Sequence, residues 1–122
     1  MAVCFLTACG SKSVDHNDPQ SVAVAALECY DTKDYEGMKA LVAPTNTHLL
    51  KQCDQMSAIA AENKSDKVYE KKERTFVKAT EEFTGAELSE NSKSADMEFD
   101  GEYPSRVILE KVDRKWYLER FK

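Results

Sequence analysis

Residues 95–100, Ala-Asp-Met-Glu-Phe-Asp, decide the fold class, because apolar and acidic side chains alternate along them. A period of two places Ala95, Met97 and Phe99 on one face of a strand and the three acids on the other. This pattern is typical of an antiparallel strand that rests one face on a core. We therefore predict a half-buried strand here, with its apolar face turned towards the rest of the chain.

Strand patterns also lie on both sides of this segment. Residues 74–84 alternate in the same way before a turn at Gly85, and residues 106–112 are β-branched and apolar. The chain closes with a strand over residues 116–121, which a tight turn at residues 113–114 joins to the strand before it. The sequence therefore predicts four antiparallel strands.

Three helices are predicted before the sheet. Asp18 and Pro19 suit the N-cap and first position of a helix that continues to Thr32. Asp34 caps a short second helix, and a third runs from the region of Pro44 to Glu62. The expected fold class is thus α+β, as a single domain over residues 19–122 with three helices packed on a four-stranded antiparallel sheet.

The charge balance limits the class of partner. The chain has 122 residues with 22 acidic and 17 basic side chains, a net charge of -5. A nucleic-acid binder needs an excess of cations to contact phosphates, so no nucleic-acid partner is expected. Acids concentrate in residues 81–102 and bases in residues 103–122. We expect these two segments to pair across neighbouring strands, with a cation-binding acidic face as the alternative.

No catalytic residue, metal site or cofactor is predicted. The acids at positions 96, 98 and 100 share one strand face, but their spacing of about 7 Å is too wide for one ion. His16 and His48 have no orienting acid at a useful spacing, so we expect both to be solvated. The four glycines are isolated, and no glycine-rich phosphate loop is present.

The first residues are apolar and then turn polar at Gly10. Residues 1–9 are too short to span a bilayer, and they match the end of a signal peptide. Residues 6–9, Leu-Thr-Ala-Cys, resemble a bacterial lipobox. The resemblance implies cleavage before Cys9 and attachment of acyl chains to it, which anchor the protein in the membrane. The alternative is an apolar first strand with a buried Cys9.

The lipobox fixes the predicted organisation of the N-terminus. Residues 1–8 are the remnant of a signal peptide, and residues 9–18 are the lipidated Cys9 with a flexible polar tether. The expected location is the bacterial cell envelope. The residue after Cys9 is Gly and not Asp, which favours the outer membrane.

Two cysteines remain after Cys4 is removed and Cys9 is acylated. Cys29 and Cys53 both fall on apolar helix faces, and the envelope is an oxidising compartment. We predict a disulfide between them. The alternative is two buried free thiols that pack as small apolar side chains.

Two parts of the domain resemble a known family. Residues 18–22 (DPQSV) with residues 30–41 (YDTKDYEGMKAL), and the closing hairpin at residues 113–118 (DRKWYL), are similar to small bacterial lipoproteins in a domain-of-unknown-function family. That family has a nuclear transport factor 2-like, cystatin-like fold. The resemblance implies a curved sheet with the helices on its concave face, forming a cone. It implies no reaction.

The interior of such a cone is the expected binding site, because concave apolar spaces bind ligands. We predict a non-catalytic module that binds a small apolar ligand or an envelope protein. One alternative is an enzyme of the isomerase or hydrolase kind that uses the inside of the cone. Another is a filled core with function on the acidic outer face of the sheet. The predicted lining residues are Tyr30, Met38, Met97, Phe99 and Trp116.

Overall fold

A computed structural model describes residues 14–62 and 69–122. The four strands form one antiparallel sheet in the order β1-β2-β3-β4. Three helices precede this sheet, so the predicted α+β class is confirmed. The elements are α1 (Pro19–Thr32), α2 (Tyr35–Lys39), α3 (Thr47–Glu62), β1 (Arg74–Thr80), β2 (Ser94–Gly101), β3 (Arg106–Val112) and β4 (Lys115–Phe121).

The ends of the first two helices follow from local chemistry. The Asp18 carboxylate accepts a hydrogen bond from the Gln20 N–H at 3.1 Å, and Pro19 occupies the first turn. The Asp34 carboxylate accepts one from the Gly37 N–H at 2.9 Å. Between the two helices, Lys33 takes a left-handed conformation and ends α1. These caps fix both helices where the sequence predicts them.

The core lies between α1 and the sheet. α1 packs across β2, β3 and β4. The apolar side chains of the alternating segment, Ala95, Met97 and Phe99, are buried as predicted. Leu109 and Leu118 lie opposite each other on β3 and β4 and are almost fully buried. This face of the sheet and α1 therefore both contribute to the hydrophobic core.

α3 contributes far less to the core. It packs on α2, and Cys53 is its one buried residue among those described. Met56 and Ile59 stay exposed. A 16-residue helix held along one narrow stripe gains little burial, so the packing on the sheet is mainly that of α1.

The free edge of β4 is covered by the chain itself. The Trp116 N–H donates to the His16 carbonyl at 2.7 Å, and the His16 Nδ1 lies 2.7 Å from the Trp116 carbonyl oxygen. The Leu118 N–H donates to the Leu41 carbonyl at 2.7 Å, and Val42 forms a parallel bridge with Leu118. Residues 14–18 belong to the predicted tether. The contacts of His16 attach them to the folded domain.

The outer face of the sheet carries the predicted pairing of opposite charges. Arg106 binds Asp96 through two hydrogen bonds, and Arg120 binds Glu82 from the loop after β1. Pairing between the acidic and basic segments is therefore confirmed. Asp96 lies on the acidic face of β2 but is buried, because it is held in its ion pair beside the fully buried Ile108. The loop that brings Glu82 to Arg120 reaches across this face.

Candidate functional site

A cleft opens where α1 faces the segment that leads into β1. Its volume is about 170 Å³. Three of the side chains that line it are apolar and six are charged. Besides residues 71–73, it is lined by Val24, Leu27, Glu28, Asp31, Arg74 and Phe99.

The cleft exists because α1 does not extend its packing to β1. α1 packs against the other three strands, whereas the packing of β1 is with β2. Phe76 of β1 is therefore only half-buried, edge-on to Phe99 with 5.5 Å between ring centroids. Val24 of α1 is 45% exposed although it adjoins the buried Leu27. The cleft thus lies at the margin of the core, where the exposed Val24 adjoins the buried Leu27 and Phe99.

A buried ion pair between Asp31 and Arg74 lines the cleft. The Arg74 guanidinium donates to both oxygens of Asp31, at 2.7 and 2.9 Å, and the two side chains are 4% and 1% exposed. Arg74 Nε also donates to the carbonyls of Glu102 and Pro104. The Lys72 N–H donates to Asp31 at 2.9 Å. The network joins α1, β1 and the β2–β3 turn.

The pair sets the ionisation of Asp31. Burial by itself raises the pKa of a carboxyl group, but the hydrogen bonds and charge of Arg74, with the Lys72 N–H, outweigh burial and leave the Asp31 pKa below its ordinary value. Asp31 is therefore an ionised carboxylate bound to its partners. At the rim, Glu28 and Lys71 form an exposed pair at 3.5 Å.

The five predicted lining residues do not form one open pocket in the described part of the chain. Met38, Met97, Phe99 and Trp116 belong to the buried core, and Tyr30 packs against it with its ring 5.0 Å from that of Phe121. These side chains pack together and leave no shared opening in the described part of the chain. Phe99 nevertheless lines the cleft described above.

Two further surface depressions touch the predicted lining. One, of about 820 Å³, lies by Trp116 and has mostly polar loop residues as walls, including Asn91, Lys111 and Arg114. Lys111 covers the Trp116 ring, with Nζ 5.0 Å from its centroid. The other, of about 440 Å³, lies by Tyr30 on the far side of residues 69–72. Both depressions are larger than the α1–β1 cleft, and most of the side chains that line them are polar or charged.

The predicted Cys29–Cys53 disulfide is wrong, because Cys53 is a free, buried thiol. Cys29 is buried on α1 and Cys53 is buried on α3. Both helices pack against α2. Burial raises the pKa of the Cys53 thiol. The predicted lipid attachment at Cys9 lies outside the described residues.

Asp31 and Arg74 are not among the residues predicted from the sequence. The signal was present for Asp31: it follows Ala23 and Leu27 at intervals of four, which puts a carboxylate on the apolar stripe of α1. An acid at such a position needs a buried cationic partner. Arg74 could not be chosen as that partner, since the pairing crosses from a helix to a strand far along the chain.

Comparisons with family models, with curated proteins and with solved structures give no match to this chain. The resemblance to small lipoproteins therefore stays a prediction. Among the described residues, no helix is long and apolar enough to cross a membrane.

Proposed function

We propose that the protein is a lipid-anchored module of the bacterial cell envelope whose domain binds a partner protein without catalysing a reaction. The observation that carries the binding role is the α1–β1 cleft. There, the half-exposed Val24 lies beside Leu27 and Phe99, which belong to the buried core. Apolar surface that a domain leaves open next to its core is typical of an interaction site.

The size of the cleft favours a protein over a small apolar ligand. Pockets for small molecules enclose about 300–1,000 Å³. The cleft, at about 170 Å³, is smaller and suits one inserted side chain. Interfaces commonly place one apolar or aromatic anchor in such a pocket. The cone-like arrangement belongs to this proposal too, and the packing of α1 across three strands supports it.

The chemistry of the cleft favours binding over the enzymatic alternative. A general acid or base needs a pKa near the working pH. The Asp31 pKa is lowered, and both of its oxygens are bound by Arg74. The carboxylate is thus committed to holding the domain together.

The anchor rests on the lipobox at residues 6–9. Acyl chains on Cys9 would leave residues 10–13 as a short link to the domain, because residues 14–18 are attached at the β4 edge. Two or more chains give stable anchoring. We place the protein at the outer membrane, on the residue that follows Cys9.

Site-specific photo-crosslinking in the native envelope tests the binding role. A photoreactive residue at Val24 should capture a defined partner. The same residue at Ile59, which is similarly exposed on α3, is the matched control and should not. Equal capture at both positions, or none at Val24, would remove the cleft as the site. Catalytic turnover that is lost when Asp31 is changed would favour the enzyme instead.

Mass spectrometry of the native N-terminal peptide tests the anchor. We expect the mature chain to begin at Cys9 and to carry acyl mass. Cys9→Ala should leave an uncleaved chain that lacks this mass. An unmodified peptide that starts at Met1 in native membranes would contradict the proposal.

A further inference from the structure

We infer that the turn of residues 81–87 presents Phe83 as the anchor of a second binding surface, which fits an apolar socket rimmed by basic side chains on a partner protein. This surface goes beyond the proposed function, because it is separate from the α1–β1 cleft. The cleft adjoins Arg74 at the start of β1, and the turn follows Thr80 at its end. A seven-residue strand is about 20 Å long.

Phe83 projects from the surface further than the other large apolar side chains. It is 85% exposed, the highest value among them in the described part of the chain. The next is Tyr103 at 70%, and its hydroxyl group can bond to water. A phenyl ring has no such polar atom, so its transfer from water into an apolar socket is favourable.

Hydrogen bonds hold the turn in one conformation without any contribution from the Phe83 ring. The Glu81 N–H donates to the Ala86 carbonyl at 2.8 Å, and the Gly85 N–H donates to the Glu81 carbonyl at 2.9 Å. The Thr84 hydroxyl donates to the Glu81 carboxylate at 2.8 Å and accepts from the Ala86 N–H at 3.2 Å. The aromatic ring is therefore displayed on a preorganised support, which lowers the entropic cost of binding through it.

The residue before Phe83 attaches the turn to the sheet. The Glu82 side chain is 5% exposed and binds Arg120 of β4. A bridge between Thr80 and Glu87 closes the base of the turn. Neighbouring side chains thus differ: Glu82 is buried in its ion pair, and Phe83 lies in solvent.

The charge around the exposed ring is negative after the described ion pairs are counted. The turn holds Glu81, Glu82 and Glu87 and no base. Arg120 binds Glu82 but is shared with Glu119, whose carboxylate lies 2.7 Å away. Glu81 and Glu87 form no salt bridge to any residue that the structure describes.

The nearest bases along the chain do not cancel this charge. Lys78 comes before the turn and lies 4.0 Å from Glu98, its own partner on β2. Lys93 comes six residues after Glu87. Even with Lys93 counted, the turn and the side chains bonded to it hold more acids than bases.

These charges select the occupant. A rim of Lys or Arg around an apolar socket would be attracted to the acids beside Phe83, whereas an acidic rim would be repelled. The same acids disfavour nucleic acid and anionic membranes, which are both negative. A second copy is disfavoured too, because three acids and three bases line its α1–β1 cleft, which therefore has no cationic rim.

Photo-crosslinking in the native envelope tests the surface. A photoreactive residue in place of Phe83 should capture a partner, and mass spectrometry should place the crosslink in an apolar site flanked by Lys or Arg. The same residue in place of Tyr103, an exposed aromatic in the β2–β3 turn, is the matched control and should not capture that partner. Thr84→Val removes both hydrogen bonds of the hydroxyl and should lower capture at position 83 several-fold.

Two chemical probes test the selection by charge on the full chain. Both are β-cyclodextrins, macrocycles with an apolar cavity, of which one carries amino groups on its rim and the other carboxylates. We expect the Phe83 ring, followed by NMR, to bind the aminated probe at least about fivefold more tightly, which two weak surface charge pairs give. Glu87→Lys should abolish this preference, while Glu70→Lys, at an exposed acid before β1, should keep it. Circular dichroism checks that both variants fold.

Contrary results are distinct from those that bear on the cleft. Equal binding of the two probes would overturn the selection by charge. Capture at position 83 that maps to an acidic surface or to another copy of this chain, or equal capture at position 103, would overturn the choice of partner. A crosslink at Val24 with none at Phe83 would remove this surface and leave the proposed function. A crosslink at Phe83 with none at Val24 would remove the cleft and leave this surface.

Discussion

Different interactions attach the two sides of the sheet to the rest of the domain. On the β4 side, Leu118 and Trp116 are buried in the core, and their N–H groups donate to the carbonyls of Leu41 and His16. On the β1 side, no such edge bonds occur between Thr75 and Ala79 in the described residues. The buried Asp31–Arg74 pair ties β1 to α1 instead. One side is held by apolar packing and the other by charge.

This difference separates stability from recognition. Apolar burial is non-directional and insensitive to pH. A buried ion pair fixes the position of its partners, but it depends on ionisation and on every hydrogen bond being made. The Asp31–Arg74 ion pair can hold β1 in place without a helix packed over the strand. The proposed binding site, the α1–β1 cleft, lies on this side of the domain.

The strongest test of this comparison removes the Asp31–Arg74 ion pair. Arg74→Ala leaves the Asp31 carboxylate buried without its partner and frees the carbonyls of Glu102 and Pro104. We expect a loss of about 3–5 kcal/mol in the free energy of unfolding, measured in urea. Lys71→Ala, which breaks the exposed pair with Glu28 at the same cleft, should cost at most about 1 kcal/mol. Similar losses from the two variants would contradict a structural role for the buried pair.

The second test weakens the apolar packing on the β4 side. Leu118 is 1% exposed, so Leu118→Ala should cost about 3 kcal/mol by loss of burial and creation of a cavity. The loss should be the same at neutral and at acid pH. Val77→Ala, at a half-exposed apolar position on β1, should cost less than about 1 kcal/mol. A loss at Leu118 that changes strongly with pH would show that the β4 side also depends on charge.

The sequence predicts the individual elements better than the contacts between them, for a physical reason. Alternation marks Ala95, Met97 and Phe99 as buried, and the caps at Asp18 and Asp34 mark the helices, because these signals are local. All of these assignments agree with the structure.

The features that make the candidate site are non-local. The pairing of Asp31 with Arg74 joins residues 43 positions apart. The open space beside β1 depends on where α1 stops packing, which no single segment encodes. The same limit explains the disulfide: Cys29 and Cys53 are both buried as the patterns indicate, but the position of α2 between their helices is a tertiary property. The burial of Asp96 likewise depends on its pairing with Arg106 and on a distant loop that reaches Arg120.

The third test is acid titration of the ionic side. The pKa of Asp31 is lowered in the folded protein, so its contribution is fully present above the unfolded pKa, about 4, and is lost as pH falls through the folded pKa. Asp31→Asn removes this titration. The advantage of the wild type over Asp31→Asn in unfolding free energy should therefore be large at pH 7 and shrink steadily below about pH 4. If the difference in unfolding free energy stayed constant into strong acid, the Asp31–Arg74 ion pair would not be what stabilises this side.

The smallest expected effect concerns the bonds that close the β4 edge. His16→Ala keeps the backbone carbonyl that accepts from the Trp116 N–H, but it removes the Nδ1 contact with the Trp116 carbonyl and the ring contact with Tyr117, whose centroid is 4.8 Å away. One neutral hydrogen bond with a partial ring contact corresponds to about 1 kcal/mol. His48→Ala, at an exposed position on α3, should change stability by less than about 0.5 kcal/mol. In hydrogen exchange, His16→Ala should speed exchange of the Trp116 and Leu118 amides and leave β1 unaffected. If β1 amides respond as strongly as those of β4, the two sides are not fastened independently, and the open edge owes its position to the β4 side as well.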